Sequence, residues 1–279
     1  MKMNHREMAR FTKRVIFLSL LFYICACEFE SESSLKQKAE EQQAKGSYKH
    51  AIDSYEKIIN IKGKSSESAG YAKTAAHLAL IKTKDYERAL KLFRYVILNS
   101  ESPPERLEAQ KNIADIHFTH LATPDYAEAI REISKLLSLK LSDEDRVEYH
   151  TNLAKAYYRA NNFYQAQIEI DQVLKETKSK ERQYDLKRLK ADIFLSSKDQ
   201  QSAVNIYIDL LKDFPEQSKK DDIGLSLAVS YEDQEKYDKA IDVLTGLKKD
   251  SEKPEYIDLR IKRLKERLAQ QPGAHGLRK

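Results

Sequence analysis

Tryptophan is absent from this 279-residue chain, cysteine occurs twice, proline six times and glycine seven times. With so few breakers, turn-rich sheet architectures have little to work with. Ala, Leu, Lys, Glu, Gln and Ile dominate the body of the chain, a usage that favours helices. No run of alternating apolar and polar residues bounded by turn signals stands out as a strand. The two cysteines, Cys25 and Cys27, are two residues apart, where a bridge closes poorly, and there is no third to pair with either. A disulfide framework is therefore excluded. One-sided charge is also missing. The formal net charge is +5, but residues 1–26 hold five Lys or Arg against one Glu, and the remainder carries 44 basic and 43 acidic residues. That balance removes the compositional case for a nucleic-acid partner. No Gly-rich phosphate loop, G-x-S-x-G or H-E-x-x-H occurs, so motifs for nucleotide, acyl or zinc-hydrolase chemistry are lacking. At 41% hydrophobic and 33% charged, the chain can still bury a core.

The N-terminus has a basic segment (Lys2, Arg6, Arg10, Lys13, Arg14) followed by the apolar run VIFLSLLFYICA over residues 15–26. Twelve apolar residues fall short of the roughly 20 a helix needs to cross the hydrocarbon layer, so an export signal is the better reading and an uncleaved signal anchor the competing one. The residues Ile24, Cys25, Ala26 and Cys27 resemble the bacterial lipobox. That resemblance implies cleavage after residue 26 and lipidation of Cys27, with Cys25 lost in the signal peptide. Residues 27–34 then form a tether. Seven extended residues reach at most about 25 Å, which would hold the body of the protein close to the bilayer.

Beyond the tether, one pattern recurs: an aromatic residue, two intervening residues, an alanine, then an aromatic or aliphatic residue three or four positions on. It reads GSYKHAIDSYEKII, KDYERALKLFRYVI, PDYAEAIREISKLL, NNFYQAQIEIDQVL, KDQQSAVNIYIDLL and EKYDKAIDVLTGLK. The alanines are Ala51, Ala89, Ala129, Ala166, Ala203 and Ala240, separated by 38, 40, 37, 37 and 37 residues. This resembles the tetratricopeptide repeat (TPR), whose basic period is near 34. The excess is read as longer loops, IKGKSSES and NSESPPE, and an insertion HLATP. A small residue there lets the two antiparallel helices of a repeat approach closely.

The preceding helix of each unit fits the same family: Leu153, Ala154 and Tyr157 in the fourth, Leu227, Ala228 and Tyr231 in the sixth, and Ala191 and Phe194 in the fifth, which Pro215 closes. The first unit has Lys38 and Gln42 at places where apolar residues are expected, as suits a terminal repeat facing water. After Pro254, Ile257, Ile261, Leu264 and Leu268 recur at helical spacing. Residues 255–271 read as a capping helix, with a membrane-surface helix as the alternative, interrupted by Glu255, Asp258 and Glu266. Residues 272–279 lack periodicity and read as a disordered tail. The expected fold is thus all-α: a right-handed superhelical solenoid of about six TPR helix pairs over residues 35–254, plus the cap.

Most tyrosines, among them Tyr48, Tyr55, Tyr86, Tyr126, Tyr157, Tyr207, Tyr231 and Tyr237, fall on signature positions and read as core; Tyr71 and Tyr158 do not. In the TPR family the first helices line a concave groove. The resemblance implies a groove of Tyr71, Thr74, Leu78 and Ile81 from the second unit and Lys111, Asn112, Asp115 and Phe118 from the third. The fourth would add Asn152, Lys155, Tyr158 and Arg159, and the fifth Arg188, Asp192 and Leu195. Asp115 and Asp192 stand where a carboxylate clamp would want donors, so like-charge repulsion disfavours a C-terminal carboxylate ligand. His117 and His120 are spaced for one helical face, but two ligands do not make a zinc site, and packing explains His117 equally well. Neither a cofactor nor a metal is implied.

An anchor joined to helical repeats without chemistry resembles the bacterial TPR lipoproteins of outer-membrane and pilus assembly. The implied role is a non-enzymatic scaffold or adaptor, lipid-anchored at the outer membrane facing the periplasm, with a protein or peptide partner in the groove. A peptide- or client-binding module of cell-wall machinery is the alternative.

Overall fold

The computed structural model of the chain describes residues 30–249 and 251–271. The segment read as a signal peptide, Cys27 and residues 272–279 lie outside the described residues. Everything regular within them is helical: α1 (Glu32–Ala44), α2 (Tyr48–Lys62), α3 (Ser66–His77), α4 (Tyr86–Asn99), α5 (Pro103–Asp115), α6 (Tyr126–Leu137), α7 (Asp143–Arg159), α8 (Phe163–Glu176), α9 (Lys180–Ser196), α10 (Gln200–Asp213), α11 (Pro215–Lys220), α12 (Ile223–Asp233), α13 (Tyr237–Lys248) and α14 (Pro254–Gln270). Short π-helical segments, Leu78–Thr83 and Ile116–His120, extend α3 and α5. None of these helices is long and apolar enough to cross a membrane.

The chain divides into two compact units, one ending at Gln110 and the other starting at Lys111, within α5. In the first, α1 pairs with α2 and α3 with α4; in the second, α7 pairs with α8, α9 with α10 and α12 with α13, and α14 packs on α13. This is an all-α architecture of consecutively stacked helix pairs.

Local chemistry explains why each pair folds as it does. Five of the turns between paired helices contain a residue with positive φ: Gly46, Lys84, Asn161, Lys198 and Glu235. In four of them the next residue donates its N–H back five positions, Ser47 to Gln42, Asn162 to Tyr157, Asp199 to Phe194 and Lys236 to Tyr231, the hydrogen bond of a Schellman ending. That same residue is the N-cap of the following helix, so the reversal takes almost no loop. Asp85, Asp125, Asn162 and Asp199 cap with their side chains, each accepting from the N–H three residues on. The signature alanine comes four residues after each cap, its N–H bonded to the cap carbonyl, and all six alanines are fully buried. Large residues fill the space they leave: Ala166 shares a cluster with Ile170, Val173, Leu186 and Ile193, and Ala203 and Ala240 share one with Tyr184, Tyr207, Leu210 and Leu244.

The long-loop expectation is corrected. Ser65 caps α3 with a reciprocal capping box to Ser68, so most of IKGKSSES is helical and only residues 63–65 connect α2 to α3. Only residues 100–102 connect α4 to α5, and Pro103 and Pro104 fall in the first turn of α5, where proline is tolerated. In these connections the extra length lies in helices, and α7 and α9 have 17 residues each, whereas the HLATP insertion does stand largely outside the helices, with residues 121–125 linking the π segment to α6. The two alanine intervals longer than 37 are the two whose first helix ends in a π segment, whose wider turn absorbs additional residue. The tether reading is shortened as well, because Ser31 already caps α1 and Glu32–Ser34 are helical. Pro215 does more than stop α10, which ends at Asp213: it starts the short helix α11.

Candidate functional site

A pocket of about 480 Å³ opens between α7 and α9, the first helices of the fourth and fifth repeats. Its lining joins Glu148, Thr151, Asn152 and Lys155 of α7 to Arg182, Asp185, Leu186, Arg188, Leu189 and Asp192 of α9. Three of the site residues read from the sequence, Asn152, Lys155 and Arg188, meet here, as does Asp192. Tyr158 stands at the next turn of α7, half-buried, its hydroxyl 3.1 Å from Ser196 Oγ on α9. Its ring leans on Phe163 at 6.1 Å between centroids, and the exposed Arg159 guanidinium sits 5.8 Å from the same ring.

The remaining candidates are placed elsewhere. Tyr71, in the first unit, is half-buried, stacks on Tyr55 at 6.1 Å and donates to Glu32 Oε1 at 3.2 Å. Burial and that acidic neighbour push its hydroxyl pKa up. It is a structural contact of the first unit. Asn112 and Phe118 are half-buried on α5 and its π extension and do not line the pocket. His117 is buried in that π segment and His120 is exposed. Among the described residues no group of three or more His, Cys, Asp or Glu stands close enough to hold a metal ion. Of the tyrosines read as core, Tyr55, Tyr207 and Tyr231 are buried, while Tyr48, Tyr86, Tyr126, Tyr157 and Tyr237 are half-buried. Four of these five stand at the first position of a second helix, next to solvent.

Charge in the pocket is unevenly engaged. Arg188 donates to Asp221 Oδ2 at 2.5 Å, and the buried Tyr184 donates to the same oxygen at 3.0 Å. Arg182 lies 3.7 Å from Glu144. Lys155, Glu148, Asp185 and Asp192 have no ion pair or side-chain hydrogen bond among the described residues. Desolvation by the surrounding helices pushes the Asp192 carboxyl above its usual range, partly offset by Arg188. On neighbouring α5, burial raises Asp115 to about 6, with repulsion from Glu148 adding to the shift. Tyr149, hydrogen-bonded to Asp115 at 3.5 Å, and Lys111 pull the other way, and Lys111 is itself held by Asp145 at 2.7 Å.

Sequence reasoning missed Glu148, Thr151, Arg182, Asp185, Leu186 and Leu189. The repeat period carried a signal for four of them. Residues 148 and 185, 151 and 188, 152 and 189, and 155 and 192 are each 37 apart, so each pair occupies one position in successive repeats.

Paired helices joined at a small-residue crossing, with first helices lining a recess, are the fold of TPR-type repeat proteins. The chain matches the C-terminal part of a TPR repeat-containing protein from Cytophaga hutchinsonii with a TM-score of 0.55 at 14% identity, over 93% of this chain and 96% of the other. A chain in the structure of Naa15/Naa10 bound to HypK-THB matches with a TM-score of 0.66 at 16% identity, over 89% of this chain. There, this chain spans only 36% of the other's length. PilF of Pseudomonas aeruginosa matches at 17% identity over 83% of this chain and 98% of that one, but at a TM-score of 0.44 the likeness has no bearing on pilus assembly. No protein-family model matches the sequence, and no curated protein matches it.

Proposed function

We propose that this chain is a non-enzymatic scaffold that holds a segment of a protein partner in the recess between α7 and α9, while a lipid on Cys27 anchors it to a membrane of the bacterial cell envelope. The observation that carries the binding half is the pocket itself. It lies on two successive first helices, is large enough for a side chain or two of a bound segment, and mixes leucine with unengaged charged groups. Solved proteins of the same fold support a binding role, since the Naa15/Naa10 structure holds HypK-THB. The anchoring half rests on the lipobox resemblance of residues 24–27, and the outer membrane, facing the periplasm, is the destination that the resemblance to TPR lipoproteins of outer-membrane assembly implies.

The two halves are tested separately. A photocrosslinking amino acid at Lys155 should trap a discrete partner in cells, whereas the same probe at Lys175, exposed on α8, should not. Equal trapping from both positions overturns the groove assignment. Labelled palmitate should be incorporated into the protein and be absent from a Cys27→Ala variant; incorporation into both, or into neither, overturns the anchor.

A further inference from the structure

Single aliphatic side chains in water are ordinary on a protein surface. In the first unit, two of them stand at one end of the stacked helices. Because successive helices reverse, α1 begins at that end, α2 ends there, α3 begins and α4 ends. Tyr95 of α4 donates its hydroxyl to the Gly63 carbonyl at 2.7 Å, and the Glu101 N–H donates to Ser66 Oγ at 3.3 Å, so the last turn of α4 is tied to the connection between α2 and α3. Ile61, 48% exposed, lies two residues before Gly63, and Leu98, 82% exposed, lies three residues after Tyr95.

The chain enters the first unit at this same end. Glu30 is bound by Lys57 of α2 at 3.0 Å, and Glu32, at the start of α1, by Lys62 at 2.7 Å. From Glu30 back to Cys27 is three residues, at most about 11 Å of extended chain. The interfacial layer of a bilayer is itself about 5 to 7 Å deep on each face. A lipid on Cys27 therefore brings the last turns of α2 and α4 to the headgroups. The carboxylates nearest the anchor do not oppose that approach, since Glu30 is matched by Lys38 and Lys57 and Glu32 by Lys62. Lys64, exposed in the connection after α2, has no ion pair among the described residues and can extend its ammonium to a lipid phosphate.

We infer that Ile61 and Leu98 seat this end of the first unit in the headgroup layer of the membrane that holds the Cys27 lipid, so that the chain is oriented on the bilayer rather than swinging from it. This deepens the anchoring reading and rests on it. The lipid supplies the attachment, and at such a short tether two aliphatic side chains need only choose the pose. Ile81, 62% exposed, stands at the opposite end of the unit, where the π extension of α3 closes, and is left in water.

The chain has no tryptophan, so a single introduced indole reports on its own surroundings. The test places Leu98→Trp or Ile81→Trp in the acylated full-length chain on phosphatidylcholine vesicles, with and without bromine on the lipid acyl chains. Flotation with the vesicles checks the anchor. The bromolipid should quench Leu98→Trp at least about twofold more than Ile81→Trp, since an indole at the interface lies against the upper acyl chains. Adding Ile61→Glu should bring the quenching of Leu98→Trp down to that of Ile81→Trp, with flotation and helix content unchanged. If the chain floats but both probes are quenched alike, or Ile61→Glu changes nothing, the inference falls and the anchor stands. If Leu98→Trp emits as a buried indole without quenching by bromolipid, a second copy or another protein covers this end, and the inference again falls alone. If the chain acquires no acyl group and does not float, anchor and inference fall together.

Discussion

The stacked helices of the first unit and the α7–α9 recess of the second treat their charges differently. In the first unit, Lys62 is gripped by Glu32 at 2.7 Å and Glu67 at 2.6 Å, and Lys73 by Glu108 at 2.7 Å. His77 faces the same Glu108 at 3.1 Å, and Tyr71 donates to Glu32. The electrostatics there stitch successive helices together. In the second unit Arg188 and Lys111 are held in the same way, by Asp221 and Asp145, but Glu148 and Asp185 line a recess without an ion pair among the described residues, and Asp192 there has only the nearby Arg188 to offset its burial. Both units share the crossing alanines, the capped reversals and the stacked pairs, so the scaffold does not explain the difference. Pairing across a repeat boundary is a structural use of charge; an exposed carboxylate without such a pair contributes little to the stacking.

The comparison can be broken at its shared element first. Ala89→Leu in the first unit and Ala203→Leu in the second should each destabilise by about 1 to 3 kcal/mol, because both alanines are fully buried at a close helix crossing. Urea denaturation measures this, and a large loss in one unit with none in the other would mean the crossings are not equivalent. Next in size is Asp115. Its folded pKa of about 6 lies above the 3.8 of an unperturbed carboxyl, so the native state favours its protonated form. That preference is fully present below pH 3.8 and is lost as pH rises through 6, so ionisation opposes folding at neutral pH. Asp115→Asn should stabilise the protein by roughly 1 to 2 kcal/mol at pH 7 and flatten the stability profile between pH 4 and 6. Unchanged melting across that range would contradict the assignment.

Smaller effects test the structural use of charge. Arg88 on α4 donates to both oxygens of Glu56, at 3.0 and 2.8 Å, and to Asp53 on α2. Arg88→Met should lower stability by up to about 1 kcal/mol, and less at high salt. By contrast, Asp192→Asn should leave stability nearly unchanged, and a loss as large as that of Arg88→Met would mean Asp192 is structural after all. Smallest is the reversal between α9 and α10, where Lys198 holds a φ of 65°. Lys198→Gly should raise stability by about 0.5 to 1 kcal/mol, the relief of a left-handed lysine less the entropy of a new glycine. Asn161→Gly should gain less, since asparagine tolerates that region, and calorimetric melting would rank the two.

Much of the fold could be read in the chain before any coordinates. The six alanines and the closing helix around Ile257 and Leu264 fell where a period of stacked pairs requires, and the structure buries them there, whereas the aromatic residues before the alanines, Tyr48, Tyr86, Tyr126, Phe163 and Tyr237, are only half-buried at the start of their second helices. The loops were misread because serine and proline at 65–68 and 103–104 look like linkers while serving as a helix cap and a helix start. The candidate site was half legible. Asn152, Lys155 and Arg188 do share a recess, but Tyr71 looked like a free aromatic and is engaged by Glu32 and Tyr55, and Arg188 looked like a free ligand and is held by Asp221. A linear pattern shows which residues share a helix face; it does not show which of them already have a neighbour.

The sequence by itself determined the repeat: where each pair reverses, which small residue lets its helices cross, and which end is capped. These follow from short-range hydrogen bonding and from a spacing that counts along the chain. The tertiary structure alone decided which charges find partners. Residues such as Arg188 and Asp221, 33 apart, or Tyr71 and Glu32, 39 apart, meet only through the way successive helices rotate and lean on one another, and that rotation is set by packing.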